Sequence, residues 1–214
     1  MPSNRKELRA EETKRAILSA SRQLFTERGF DAVTMREIAK AAGCSHTTIY
    51  IYFKDKEALL HQLAMSPLQT LQQQIESELI DETTSPDRRL QRIAHLFLTF
   101  CFTNRNLYKI LFLTKATRVD LEEPELEVQK LRNQLFALLQ RSVQATLPPA
   151  QNADQALAYT RILFYMLHGI ISTYLHSDEP YDMLIARLAP TFELAVEVVL
   201  TGIKQTVEQG VEEK

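Results

Sequence analysis

The sequence predicts an all-α protein, and two observations carry that prediction. Glycine is scarce, five in 214 residues, while leucine, alanine, glutamate, glutamine and arginine abound, so summed propensity favours helix over nearly the whole chain. Apolar residues also recur at three- and four-residue spacing, and the breaks between those runs fall at glycine or proline. With 45% hydrophobic and 24% charged residues, the chain is long enough for one large domain or two small ones.

The elements follow in order. Ile17, Ala20, Leu24 and Phe25 predict a first helix over about 9–28, closed by Gly29 with a trailing apolar Phe30. Thr34 then precedes Met35-Arg36-Glu37, a Thr-x-x-Glu capping box that opens a second helix with Met35, Ile38, Ala39 and Ala42 turned inward. Gly43 ends it, Cys44 crosses the turn, and Ser45 caps a third helix from His46 to about Phe53. Two short helices joined by a glycine-containing turn make a helix-turn-helix.

Asp55 caps a fourth helix starting at Lys56, which Pro67 is expected to kink. Prolines 86, 124, 148, 149 and 180 separate later helices near 87–103, 105–117, 124–146, 152–177 and 182–208, with a second kink at Pro190. About nine helices result. They divide into a helix-turn-helix domain, 1–55, and a larger domain, 56–214.

Composition narrows the function classes. Cys44 and Cys101 form no CxxC pair, so no disulfide framework or zinc site is indicated, and a reducing cytoplasm fits. The charged N-terminal stretch lacks the apolar core of a signal peptide, and the longest apolar run, Ile162 to Leu175, is interrupted by His168 and too short for a bilayer. No membrane segment is expected. The formal net charge of −2 hides an asymmetry: residues 1–55 hold ten Lys/Arg against seven Asp/Glu, and the remainder fifteen against twenty. The basic surplus sits with the helix-turn-helix.

On the third helix, Ile49 and Phe53 point the same way, into a small core, and leave Thr47, Tyr50 and Ile51 facing out. Hydroxyls on such a face donate to phosphates and base edges, and methyl groups pack on thymine methyls. Lys54 and Lys56 follow, the latter at a helix start where free backbone donors and a cation together suit a phosphate.

The stretch "GFDAVTMREIAKAAGCSHTTIYIYFKDKEALL", Gly29 to Leu60, resembles the DNA-binding domain of the TetR/AcrR family of transcriptional regulators. The Gly-Phe helix stop, the T-x-x-x-I-A-x-x-A-G second helix and the I-Y-x-Y-F-x-x-K-E-x-L junction stand in order, and the resemblance covers about residues 9–62. It implies phosphate or base contacts from Thr34, Arg36, Ser45, His46, Thr47, Tyr50, Tyr52 and Lys56. Tyr52 stands where many members have histidine. Cys44, a less common turn residue, is given no role, and the Arg5, Lys6 and Arg9 cluster reads as a solvated charge run rather than a DNA-touching arm.

In the second domain, the run from Ile162 to Leu167 is apolar on every side, which predicts a helix buried all round. The last helix repeats Leu188, Phe192, Ala195, Val196, Val199, Leu200 and Ile203 on one broad face. One chain hardly supplies partners for both, so a two-fold four-helix interface in a homodimer is expected, with Gly169 allowing close approach; the resemblance implies the same. Phe97, Phe100, Cys101, Tyr108, Phe112, Phe164, Tyr165 and His168 together have the composition of an apolar small-molecule site with a few polar handles, although for any one of them core packing is the better account. The resemblance implies an inducer there. The short Met-Leu-His-Gly run at His168 resembles a helix in one branch of these domains.

No metal or other cofactor is expected. The acidic group Asp120, Glu122, Glu123, Glu125 and Glu127 surrounds Pro124 as at an ordinary helix start, and His61, His95 and His176 form no i, i+4 pair. An enzyme is not expected either: Cys101 and His168 can be imagined as nucleophile and base, but nothing in the sequence puts them side by side, and no phosphate loop or nucleophile elbow accompanies them. The sequence is thus read as a cytoplasmic, dimeric regulator that binds double-stranded operator DNA, expected to act as a repressor released by a small hydrophobic or amphipathic inducer. The alternative is a ligand-independent architectural or cell-division factor of the same fold.

Overall fold

The structure, a computed structural model, describes residues 3–108, 127–148 and 153–212. Among the described residues there are nine helices and no strand. They fall into two compact units. One holds the chain up to Leu68 together with the segment beginning at Asn106; the other begins at Gln69 and holds Arg105 and the C-terminal helices.

In the first unit, α1 (Ser3–Arg28) begins well before the predicted residue 9. The added turns carry Arg, Lys and Glu, which are good helix formers and need no apolar period to stay helical, and Lys6, Glu7 and Leu8 are exposed. Gly29 ends α1 at φ +78°, where its N–H bonds the Phe25 carbonyl at 3.0 Å. The short helices α2 (Met35–Ala41) and α3 (His46–Tyr52) follow, each with the predicted cap. Gly43, at φ +69°, makes the turn between them, and Cys44 N–H returns to the Ala39 carbonyl at 3.0 Å. Ile17, Phe25, Ile38, Ile49, Phe53 and Leu59 close the core of this unit.

Helix α4 (Lys56–Ile80) starts at Asp55, whose carboxylate accepts from Ala58 N–H at 2.7 Å, and runs unbroken through Pro67. Ala64, Leu68, Leu71 and Ile75 keep one face of the helix buried on both sides of the proline, which holds the two halves in one helix.

In the second unit, α5 (Pro86–Thr103) opens with Ser85 as N-cap, proline in its first turn and Asp87 beside it. A four-residue α6 (Arg105–Tyr108) follows, of which only Arg105 belongs to this unit; the rest of its predicted span, 109–117, lies outside the described residues. Helices α7 (Glu127–Ala145), α8 (Ala153–Tyr174) and α9 (Tyr181–Glu212) complete the unit. Here α5 packs on α7, α8 and α9, while α8 packs on both α7 and α9. The guanidinium of Arg105 donates to the Ser177 and Glu179 carbonyls, fixing the α8–α9 turn. Buried hydroxyls are satisfied locally: Ser142 and Thr160 donate to Leu138 and Ala156 carbonyls at 2.8 and 2.7 Å.

Two expectations about these last helices are corrected. Helix α8 is not buried all round, since Ile162 is 49% and Tyr165 64% exposed. The α9 face of Leu188, Phe192, Val196, Leu200 and Ile203 is buried within its own chain, where Phe192 stacks on Phe102 at 6.1 Å; only Ala195 and Val199 are half-buried. Four helices in one unit supply the partners that two were thought to lack. Helix α9 also passes Pro190 without interruption. Among the described residues, no helix is long and apolar enough to cross a membrane.

Candidate nucleic-acid interface and ligand cluster

The α2–turn–α3 segment is held rigid by polar bonds at its edges and an apolar plug beneath. Thr34 N–H and Oγ1–H donate to Glu37 at 2.9 and 2.7 Å, and Glu37 N–H returns to Thr34 Oγ1 at 3.3 Å. The other carboxylate oxygen of Glu37 accepts from Arg28 at 2.9 Å. The Thr34 hydroxyl and backbone bonds, with the Arg28 guanidinium, hold the Glu37 carboxyl at about 2. Ser45 Oγ accepts from Thr48 N–H at 3.0 Å and meets the Thr48 hydroxyl at 2.7 Å, while Ile49 beneath is fully buried.

The outer face this leaves is the one the sequence predicts. Arg36, Ser45, His46 and Thr47 are exposed, Tyr50 is 47% and Ile51 75% exposed, and Tyr52 is half-buried against the core. The His46 ring meets Tyr50 edge-on at 5.1 Å, so the two rings one turn apart form a single ridge along α3. Beside that ridge, Arg36, Glu37, Ala39, Lys40, Cys44 and His46 line an open depression of about 400 Å³. Thr34 is exposed, with its hydroxyl engaged in the capping box.

Lys56 is placed differently from a free cation at a helix start. Its Nζ donates to the Phe30 and Val33 carbonyls at 2.6 and 2.8 Å and lies 4.3 Å from the centroid of the Phe30 ring. Two of its three N–H donors therefore tie α4 to the α1–α2 loop. Lys54, next to it in sequence, is exposed.

In the second unit, the structure brings together three of the residues expected at a ligand site. His168 lies 4.0 Å from the Phe164 ring and 5.7 Å from the Phe97 ring, centroid to centroid. Tyr165 faces outward and Phe100 and Cys101 are buried on α5, where desolvation raises the Cys101 thiol well above its usual range. A thiol so held is not a nucleophile. Tyr108 is fully buried and belongs to the first unit, and Phe112 lies outside the described residues, as do Asp120, Glu122, Glu123 and Glu125.

Two residues of this cluster escaped the sequence reading. Phe136 on α7 meets Phe164 edge-on at 5.5 Å, and Arg132, one turn before it, is only 6% exposed. The available signal was a basic residue at an inward position of the periodic run Leu131, Leu135, Leu138, Leu139. Burial and the nearby Arg132 charge lower the His168 pKa to about 4, so the imidazole is neutral at physiological pH.

The sequence pattern described as bacterial regulatory proteins of the tetR family matches residues 17–63, and that of the tetracyclin repressor-like C-terminal domain matches residues 90–199. The fatty acid metabolism regulator protein of Bacillus subtilis (strain 168) is 23% identical over 188 residues, covering 84% of this chain and 92% of that protein. The HTH-type transcriptional repressor BepR of Brucella suis biovar 1 is 28% identical over 195 residues, covering 82% and 87%. Among solved structures, FadR from Bacillus subtilis in complex with stearoyl-CoA superposes with a TM-score of 0.61 at 18% identity, covering 87% of this chain and 97% of that one. A TetR variant from Acinetobacter baumannii AYE in complex with minocycline gives 0.61 at 18% identity, covering 89% and 96%. At such identity the structural likeness speaks to fold alone.

Proposed function

Because this chain belongs to the TetR family of bacterial transcriptional regulators, with a DNA-binding helix-turn-helix in its first unit, we propose that it is a dimeric repressor whose second unit binds a small molecule that releases it from operator DNA. The observation that carries the reading is the α3 face. Thr47, Tyr50 and Ile51 are exposed on a helix whose other side is plugged by Ile49 and whose ends are capped, so hydroxyls and methyls are presented to a groove at fixed positions. We assign base contacts to Thr47, Tyr50 and His46, and phosphate contacts to Arg36, Ser45, Tyr52 and Lys54. Thr34 and Lys56 have a structural engagement to set against the phosphate contacts expected of them.

Dimerisation is assigned to the outer stripes of α8 and α9, not to the α9 face that the sequence suggested. Ala158, Ile162, Tyr165, Gly169 and Ser172 are exposed at alternating four- and three-residue spacing, and Leu194 and Val198 are 57% and 61% exposed on α9. A Cβ built on Gly169 meets nothing within 4 Å in the single chain, which leaves room for a facing helix. Two copies of this pair make a self-complementary four-helix face. Location in the cytoplasm, where the chromosome of a bacterium lies, follows from the same reading.

The relatives support the remaining steps: one is named a repressor, and one related structure holds stearoyl-CoA. The deciding experiment selects bound duplexes from a random pool. A near-palindrome with half-sites about one helical turn apart, or a multiple of that, is expected. Recovery of unenriched DNA would refute sequence-specific regulation. Sedimentation of the wild type as a monomer at micromolar concentration, or of a Tyr165→Glu variant as an undisturbed dimer, would refute the dimer assignment.

A further inference from the structure

Arg36 and Lys40 stand one turn apart on α2 and, with Ala39, Cys44 and His46, line the open depression of about 400 Å³ beside the α3 ridge. Both are exposed, and among the described residues neither side chain has a hydrogen-bond or ion-pair partner. Other cations of this unit are engaged: Arg28 is paired with Glu37 at 2.9 Å, and Lys56 donates to the Phe30 and Val33 carbonyls. Glu37, the carboxylate on the wall of the depression, has both oxygens taken, one by Arg28 and the other by the Thr34 N–H and hydroxyl. The depression thus offers two free positive charges, while its negative charge is already paired.

Its place and shape fit the backbone of a nucleic acid. When a recognition helix lies in the major groove, the helix before it crosses the sugar-phosphate backbone that borders the groove. Here α3 is the helix that presents Thr47 and Tyr50, and the depression spans from α2 to His46 at the start of α3, where that border would pass. Ala39 is buried and Cys44 half-buried, so the floor is apolar and suits a sugar, while the guanidinium of Arg36 and the ammonium of Lys40 suit phosphate oxygens. An open trough, unlike a closed pocket, admits a chain that continues on both sides. A lysine in the last turn of a helix also answers the helix dipole, but that local role involves no DNA and leaves no trace in the salt dependence of binding.

We propose that this depression is the seat of one backbone phosphate per subunit, with Lys40 and Arg36 on the phosphate oxygens and the adjoining sugar against Ala39 and Cys44. The proposal rests on the reading that α3 lies in a groove of DNA. It adds Lys40, which no motif singles out, and the place where the strand passes. Phosphates are the same in every sequence, so Lys40 supplies affinity and register without choosing a base. Each phosphate neutralised in this way releases its counterions, so Lys40 carries a definite share of the salt dependence.

The test uses the full-length protein, the duplex selected from a random pool, and a scrambled duplex of the same composition, titrated by fluorescence anisotropy over a series of salt concentrations. Lys40→Gln should weaken binding to both duplexes by the same factor and lower the slope of log affinity against log salt by about one per subunit. Lys40→Arg, which keeps the charge, should keep the slope. A second arm replaces single phosphates of each half-site with uncharged methylphosphonates: one position should weaken the wild type and weaken Lys40→Gln no further. An unchanged slope in Lys40→Gln, a loss confined to the selected duplex, or methylphosphonate effects that add in full to Lys40→Gln at every position overturns the seat and leaves the DNA-binding reading standing. A wild type that binds neither duplex overturns both.

Discussion

The ammonium of Lys56 sits on the Phe30 carbonyl at 2.6 Å and over the Phe30 ring at 4.3 Å, so the first residue of α4 holds down the loop that leads into α2. A second bond, to the Val33 carbonyl at 2.8 Å, lies one residue before the Thr34 cap. The lysine thus positions the helix-turn-helix from behind. Lys56→Met keeps the aliphatic stem and removes both bonds, and should destabilise the protein by about 1–3 kcal/mol. Binding to operator and random duplexes should weaken alike, with the slope of log affinity against log salt unchanged. A drop of about one in that slope per subunit would show instead that the remaining N–H grips a phosphate.

Glu37 gathers three donors from Thr34 and Arg28 and has its carboxyl lowered from 4.5 to about 2. A depressed carboxyl pKa means that the unfolded chain takes up the proton more readily than the folded one. Its stabilising effect is complete above 4.5 and is lost as pH falls toward 2. Thermal melts across that interval should therefore show a steeper decline for the wild type than for Glu37→Gln, which already lacks the charge. Parallel curves would place the acid sensitivity elsewhere.

Thr47 and Tyr50 are exposed, and among the described residues no hydrogen bond to the fold constrains their replacement. Thr47→Ala and Tyr50→Ala should leave the melting temperature nearly unchanged while lowering the ratio of operator to random-DNA affinity by about 1–3 kcal/mol for each base that is no longer read. Gel shifts on operator and scrambled duplexes at two salt concentrations measure this. Equal weakening on both duplexes would mean that α3 grips the backbone without reading sequence.

What the sequence revealed was whatever local chemistry determines. Thr34 with Glu37, Ser45, Gly29 and Gly43 are caps and stops whose geometry depends on a few neighbouring residues, and each was legible. Pro67 and Pro190 were placed inside helices by the same local logic, and α4 and α9 continue through them, with burial on either side holding each helix together. Periodicity showed that α9 has an apolar stripe and did not show what it faces: Phe192 meets Phe102 of its own chain, while Leu194 and Val198 point outward. The partners of Lys56, and the meeting of Arg132 with His168, lie too far away in sequence for spacing to reveal.

His168 carries the last prediction. Its pKa falls from 6.5 to about 4, chiefly because burial disfavours the imidazolium and further because Arg132 repels it. A histidine depressed in the folded state leaves the unfolded chain with more bound protons once pH drops below 6.5. Its contribution to stability is therefore complete above 6.5 and is lost as pH falls toward 4, by at most about 3 kcal/mol for a shift of this size. Glu37 contributes little above 4.5, so the interval from 6.5 to 4.5 isolates the histidine. Across that interval the wild type should lose stability in urea unfolding, while His168→Phe, which places another ring beside Phe97 and Phe164 and has nothing to protonate, should stay level. The Arg132→Gln variant should decline less than the wild type because the repelling charge is gone. If wild type and His168→Phe lose stability in parallel through this interval, His168 is not held neutral by its surroundings.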